Sequence, residues 1–448
     1  MTPQTTPSAT HDVPARGKDV PARDDAARDS GRTAAAGRFA RLPELAGRAF
    51  LPLGLFARLP LAMLTVGTLT LVTSVSGSFA VGGTAAGAVG IGSALGAPVL
   101  GSLADRQGQR PVLLVSAVLN TVAVLVLVLA ALATGRNGGF PLAVLAAAFA
   151  AGATCPQVGP LARVRWMSLT AAGGGADASA GSAARDLDTA LSYESTADEV
   201  TFVLGPALVG VLASMVTPWL PLALAAAMTI TLVPAFAVHP THRAVPVTRH
   251  ARGRKGAGAA TSRKLPLAVA LPVMAMVCMG TFFGSTQAAL SAFSASLAGA
   301  EIAGLLYAVM GLSSAAAALS VAYWPRRAAL ALRWVLCAVL MAALAVLLLL
   351  PSSLPMMAAV LLVLGLPVGP VMVTVFAVGG ALAPAGRLGT VMTGLASGIV
   401  AGTAVGSAVG GQLAQLHGSG AAFLVPVCAA AALALLGAGT AVVLRRRR

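Results

Sequence analysis

Long apolar runs separated by short polar segments fill the chain from about residue 49 onward. The runs cover 59–80, 82–104, 112–133, 142–166, 191–216 and 220–238, then 265–294, 302–323, 330–350, 356–378, 389–416 and 421–444. Each is close to the roughly 20 apolar residues that a helix needs to cross a bilayer. Lipid cannot satisfy open backbone groups, so runs of this length predict helices. The expected fold is an all-α membrane protein with twelve transmembrane helices in two six-helix bundles, 49–238 and 265–448, joined by a basic cytoplasmic linker, 239–264. Residues 1–48 interleave Pro, Ala, Asp and Arg and offer no apolar core, which predicts a disordered cytoplasmic tail. No short apolar run near Met1 leads to a small-residue cleavage site, so no signal peptide is expected.

Composition agrees with this class. Of 448 residues, 57% are hydrophobic and 10% charged, against about 25% charged in soluble proteins. The net charge of +16 is spread over the segments between apolar runs, an orientation signal and not a nucleic-acid face. With the N-terminus inside, the inner loops hold Arg106, Arg110, Arg163, Arg165, Arg185, Arg326, Arg327, Arg333, Arg387, the linker cations and Arg445–Arg448. The outer loops hold only Arg136. A multi-pass cell-membrane protein with both termini cytoplasmic follows. Cys155, Cys278, Cys337 and Cys428 each sit in an apolar run, as packing residues. No His or Cys cluster suggests a metal, and no Gly-rich loop ending in Lys-Ser or Lys-Thr suggests ATP. Neither enzyme chemistry nor a cofactor is expected.

Between the second and third runs lies GSLADRQGQR. Gly101, Asp105, Arg106, Gly108 and Arg110 resemble the signature loop of the major facilitator superfamily, with Gln109 in place of one basic residue. The resemblance implies that helix 2 lies against helix 11 across the seam between halves. Asp105 would then sit at the helix 11 N-terminus near Gly389 and Thr390, where unpaired N–H groups favour an anion, and act as a gate. A local turn cap with Arg106 or Arg110 is the alternative. A shift of 220 residues aligns Ala88-Val89 with Ala308-Val309, Ser93 with Ser313 and Arg106 with Arg326, a faint echo between halves.

Helix 11 carries Gly394, Gly398, Gly402, Gly406 and Gly410 at every fourth residue, one ridge that admits a close backbone. Gly83, Gly87, Gly92 and Gly96 on helix 2 are the expected partner surface, for sliding or for static packing. Helix 5 opens with Glu194, Asp198 and Glu199. Such acids are costly in a membrane and are usually paired or functional. Asp198 or Glu199 as a proton carrier is one reading. An ion-pair network with Arg163 and Arg165 near the cytoplasmic surface is the other, and the nearby cations favour it. Further along, Gly205-Pro206 and Gly210 resemble in part the helix 5 motif of exporters, although Val209 and Thr201 stand where Gly is expected.

A substrate path of polar mid-membrane groups is expected from Thr65, Thr68, Gln157, Thr281, Ser285, Gln287 and Ser313, the two amides foremost. Few charges there suit a neutral or amphipathic solute. The leading expectation is a monomeric, proton-coupled, drug-efflux-like bacterial exporter of small molecules working by alternating access. An uptake permease or facilitator for sugars or other small solutes is the alternative, and a non-transporting sensor is a third.

Overall fold

The computed structural model describes residues 38–77, 79–134, 142–172, 180–247, 267–297, 302–324 and 329–446. Twelve helices among them are long and apolar enough to cross a membrane. They are α1 (Phe50–Ser76), α2 (Val81–Gln107), α3 (Gln109–Thr134), α4 (Leu142–Ala171), α5 (Gly181–Met215) and α6 (Leu220–Val238) in the first half. The second half has α7 (Ala268–Ala295), α8 (Ile302–Tyr323), α9 (Leu330–Leu349), α10 (Leu354–Leu382), α11 (Leu388–Ala422) and α12 (Leu424–Val442). No strand occurs among the described residues. The end of the molecule carrying the α2–α3 turn is called here the loop end.

Each half has its own apolar core. One cluster runs through α7–α12 around Phe282, Trp334 and Leu361, with Val164 of α4 joining it across the seam. Two others fill the first half, around Trp166 with Phe236 and around Leu127 with Leu222. Within each half, helices pair where glycines let backbones touch. A Cβ on Gly152 of α4 would meet the Val89 carbonyl oxygen of α2 at 2.0 Å. On Gly365 of α10 it would meet Ser313 Oγ of α8 at 2.0 Å and the Met310 oxygen at 2.4 Å. The α2–α4 and α8–α10 pairs are thus counterparts, and Ser93 and Ser313 of the sequence echo both fall at these crossings.

Several boundaries differ from the hydropathy pattern. The first helix begins at Phe50, not residue 59, because apolar residues lie on both sides of a buried Arg58. It is built of Phe50–Ala57 and Leu59–Ser76, and Pro60 in the second piece has no N–H to continue the ladder. The α4 helix is likewise broken between Ala153 and Val158, at Pro156. The α5 helix starts ten residues before 191, because the polar stretch at its start is helical though not apolar. The tail expected to be disordered through residue 48 is helical at Arg38–Ala40 and Arg41–Ala46. The reason is Leu42, 1% exposed, which joins Phe50 and Trp166 in the first-half core. The Arg38 guanidinium reaches the second half, donating to the Ala322 carbonyl and lying 5.2 Å from the Tyr323 ring centre. The rest of the expected tail, most of the linker, Arg136, Glu301, Arg326 and Arg327 lie outside the described residues.

Candidate functional site

The α2–α3 turn is made by Gly108, whose φ of +93° suits a residue without Cβ. It reverses the chain so that Asp105, two residues before the end of α2, faces the start of α11. Asp105 Oδ1 accepts from Gly389 N–H at 2.8 Å. Its Oδ2 accepts from Thr390 N–H at 2.7 Å and from Thr390 Oγ1 at 2.6 Å. These are orphan donors at a helix N-terminus, which the helix dipole makes favourable to an anion. The close crossing needs Gly101: a Cβ there would meet Thr393 Oγ1 at 2.0 Å and the Gly389 oxygen at 2.7 Å. Deeper along the same seam, Ser397 Oγ donates to the Ala94 carbonyl. Arg106 and Arg110 are exposed. Gln109 is 3% exposed and accepts from Arg165 Nε at 2.8 Å, so an uncharged amide serves a buried cation there.

The acids of α5 meet a residue the hydropathy pattern left outside the membrane, Arg58. Its Nη2 pairs with Glu194 Oε2 at 2.6 Å and its Nη1 with Asp198 Oδ1 at 2.8 Å. Arg163 Nη2 takes the other Asp198 oxygen at 2.7 Å. Trp166 Nε1 donates to Glu194 Oε1 at 2.9 Å. Two cations and two carboxylates balance, and the hydrogen bonds satisfy most of their polar atoms, as buried ion pairs require. Arg58 lies eight residues inside α1, about 12 Å from its start at 1.5 Å per residue. The network is buried among the helices, with Arg58 4%, Arg163 1% and Glu194 1% exposed.

The expected partnership of Arg165 with these acids is not made. Arg163 and Arg165 are two apart, so their side chains leave opposite sides of the helix. Arg165 points into its own half, donating to the Phe236 carbonyl at 2.8 Å and Thr241 Oγ1 at 3.0 Å, over the Phe236 ring at 4.0 Å. Glu199 also leaves the network. At 7% exposed it crosses the seam, where Ser314 Oγ of α8 donates to its Oε1 at 2.9 Å. Among the described residues no cation pairs with Glu199.

Between the halves a narrow cavity of about 60 Å³ has two unlike walls. Arg58, Gln157, Arg163 and Asp198 line the first-half wall; Phe376, Ile399 and Val400 line the second-half wall. The Arg163 guanidinium lies 3.9 Å from the centre of the Phe376 ring, a cation–π contact across the seam. Gln157, at the break in α4, donates to the Cys155 carbonyl at 2.9 Å. The other proposed lining groups are elsewhere. Gln287 and Thr65 are exposed away from this cavity. Thr68, Thr281, Ser285 and Ser313 donate to carbonyls of their own helices, the usual fate of such hydroxyls.

The glycine ridge of α11 packs on α7, not on α2. A Cβ would meet Val273 O at 2.9 Å from Gly398, Val277 O at 2.0 Å from Gly402 and Thr281 O at 2.2 Å from Gly406. From Gly410 it would meet Ser285 Cα at 3.0 Å; from Gly394 it would meet nothing within 4 Å. Gly280 and Gly284 of α7 return the contact against Ile399 and Thr403. Gly92 and Gly96 of α2 are taken by α4, and Gly83 and Gly87 meet nothing within 4 Å. A ridge inside one half binds that half together; the seam is made by other residues. A Cβ on Gly205 would meet Ala62 Cβ of α1 at 2.6 Å, Pro206 is within α5, and a Cβ on Gly210 would meet nothing within 4 Å.

Arg58, Trp166, Ser314 and Phe376 were not singled out from the sequence. A signal existed for Arg58: it is a lone cation inside apolar residues that run from Phe50 to Ser76.

Known proteins place this geometry in a family. The structure is similar to the human organic anion transporter TETRAN, with TM-score 0.64, 19% identity, and 89% of this chain covering 99% of that one. It is similar to a bacterial homologue of the iron transporter ferroportin in its outward-facing state, with TM-score 0.63, 16% identity and coverage of 88% and 98%. The Escherichia coli fucose:proton symporter FucP gives 0.62, 15%, and 88% and 99%. At these identities the likeness is one of fold. No match is found among curated proteins. The family model for the Major Facilitator Superfamily matches residues 50–392, and the chain belongs to that superfamily of membrane transporters.

Proposed function

We propose that this transporter is a proton-coupled exporter of small neutral or amphipathic molecules, working by alternating access in the cell membrane with the loop end cytoplasmic. The observation that carries the coupling is the contrast between two neighbouring acids. Asp198 is held by two arginines, so it stays a structural anion. Glu199 is buried at the seam, held by one hydroxyl of the other half. Rocking of the halves would part Glu199 from Ser314 and change its access to water, which is what a proton carrier needs. The cavity supports the solute class: its two lining arginines are balanced by Asp198 in the wall and Glu194 behind it, and its second wall is apolar. At about 60 Å³ it is narrower than the roughly 300–1,000 Å³ of solute pockets, as expected of a closed state of a moving site. Asp105 would hold the loop end shut in this state and release it when the halves tilt.

The test uses protein in liposomes with a pH-sensitive dye inside, an imposed pH gradient, and a panel of lipophilic cations, neutral antibiotics and sugars. Proton flux triggered by one class, and lost in Glu199→Gln but kept in Ser314→Ala, supports the reading. Undiminished coupled flux in Glu199→Gln overturns it. Gly210, without a packing partner, weakens the exporter motif and favours the uptake alternative. The direction of counterflow with preloaded solute separates the two.

A further inference from the structure

A second cavity opens at the loop end, apart from the narrow one. Its volume is about 560 Å³, within the range of pockets that take drug-sized molecules. Both halves build it: Met167 and Leu187 come from α4 and α5, and Leu330, Ala377 and Ala381 from α9 and α10. The walls are mostly apolar. Into it faces Arg333, one turn inside α9 and only 5% exposed. Among the described residues, the Arg333 side chain makes no ion pair and no hydrogen bond; its neighbour is the Trp324 ring, 5.7 Å from the guanidinium carbon. A buried cation without an anion or acceptor is costly, and one aromatic face compensates it only in part. The other buried arginines among the described residues are satisfied differently: Arg58 and Arg163 by carboxylates, Arg165 by an amide, a carbonyl and a hydroxyl.

We propose that this pocket is a binding site for a soluble amphipathic monoanion, a single carboxylate on a compact apolar body. The carboxylate would take the Arg333 guanidinium, and the body would lie against Met167, Leu187 and Ala377. Asp188 also lines the pocket, from the first half, and the single cation on the second-half wall calls for a single carboxylate. Met167 and Leu187 move with one half and Arg333 with the other. An occupant touching both binds best while the loop end is closed, so it shifts the population toward that state and slows turnover.

The experiment measures binding of radiolabelled 2-naphthoate to the full-length protein in nanodiscs of zwitterionic lipid. Saturable binding is expected, with no competition from the neutral 2-naphthamide. R333Q should weaken it at least tenfold, and R333K should restore most of it. A381F keeps the cation but fills the pocket, and should also abolish binding; it guards against a fold defect peculiar to removing Arg333. Ala396 lines the narrow central cavity, so A396F fills that one instead and should bind as the wild type does. Equal competition by the amide, or unchanged binding in both R333Q and A381F, overturns the proposal. So does loss of binding in A396F alone. Unchanged affinity when anionic lipid is added to the nanodiscs supports a soluble ligand; loss of binding on that addition overturns it in favour of a lipid headgroup.

Discussion

The two halves share a fold and are held together by opposite means. In the first half, Arg58, Arg163, Glu194 and Asp198 tie α1, α4 and α5 through buried charge. In the second, the corresponding pair α7 and α11 is joined by glycines that let backbones touch. Among the described residues of the second half up to Val442, formal charge is confined to Arg333 and Arg387, with His417 the one imidazole. Charge-assisted bonds have fixed partners and lengths, whereas a smooth ridge is held by dispersion over its whole length. The same architecture thus tolerates either solution, and the chemistry falls on one side of the seam while the other side presents an apolar wall.

Mutations can break this comparison in order of size. Arg58→Gln leaves Glu194 without its cation and Asp198 with one of two. Breaking a buried pair costs about 3–5 kcal/mol, so thermal unfolding in detergent should show the largest loss here. Replacing Arg58 and Glu194 together by Met should recover most of it, because no lone charge remains. If the double variant is as weak as the single, charge is not what holds the first half. Gly402→Val drives a side chain into the Val277 carbonyl and should cost about 1–3 kcal/mol, while Gly394→Ala, with open space, should cost nothing measurable. Asp105→Asn keeps the shape of the seam contact but loses charge-assisted bonds, each worth about 1.5–3 kcal/mol. It should leave each half intact and speed thiol labelling of a cysteine placed at Ala381, in a background without the four native cysteines.

The smallest effect is at the rim. Burial, then Arg165 and His242, hold the His239 imidazole below its ordinary range. The unfolded chain therefore binds the proton first as pH falls. Stability from this group is complete above the ordinary imidazole range, near pH 6.5, and declines as pH drops toward the folded value. His239→Asn should flatten that slope slightly in unfolding measured from pH 7 to 5.

Much of the fold was legible because lipid enforces a simple code: twelve apolar runs became twelve helices. The Asp105 contact with Gly389 and Thr390 was legible because the motif marks Asp105 and the resembled fold sets helix 2 against the start of helix 11. What hydropathy hid was polar and helical at once. Arg58 is averaged into a boundary, and the start of α5 is helical without being apolar. The glycine ridge was read correctly as a groove but given the wrong partner, since periodicity shows that a face is smooth and not which helix covers it. The roles of Arg163 and Arg165 diverged for a geometric reason that their spacing already contained.

Arg58 has a consequence in time. Its counter-charges lie 136 and 140 residues further along the chain. At the roughly 5–20 residues per second of ribosomal synthesis, α1 is made about 7 to 28 seconds before Glu194 and Asp198 exist. Until then this arginine has neither acid, and a lone cation resists entering hydrocarbon. The first helix is thus the earliest to be made and among the last to be settled, and its final depth awaits the arrival of the fifth.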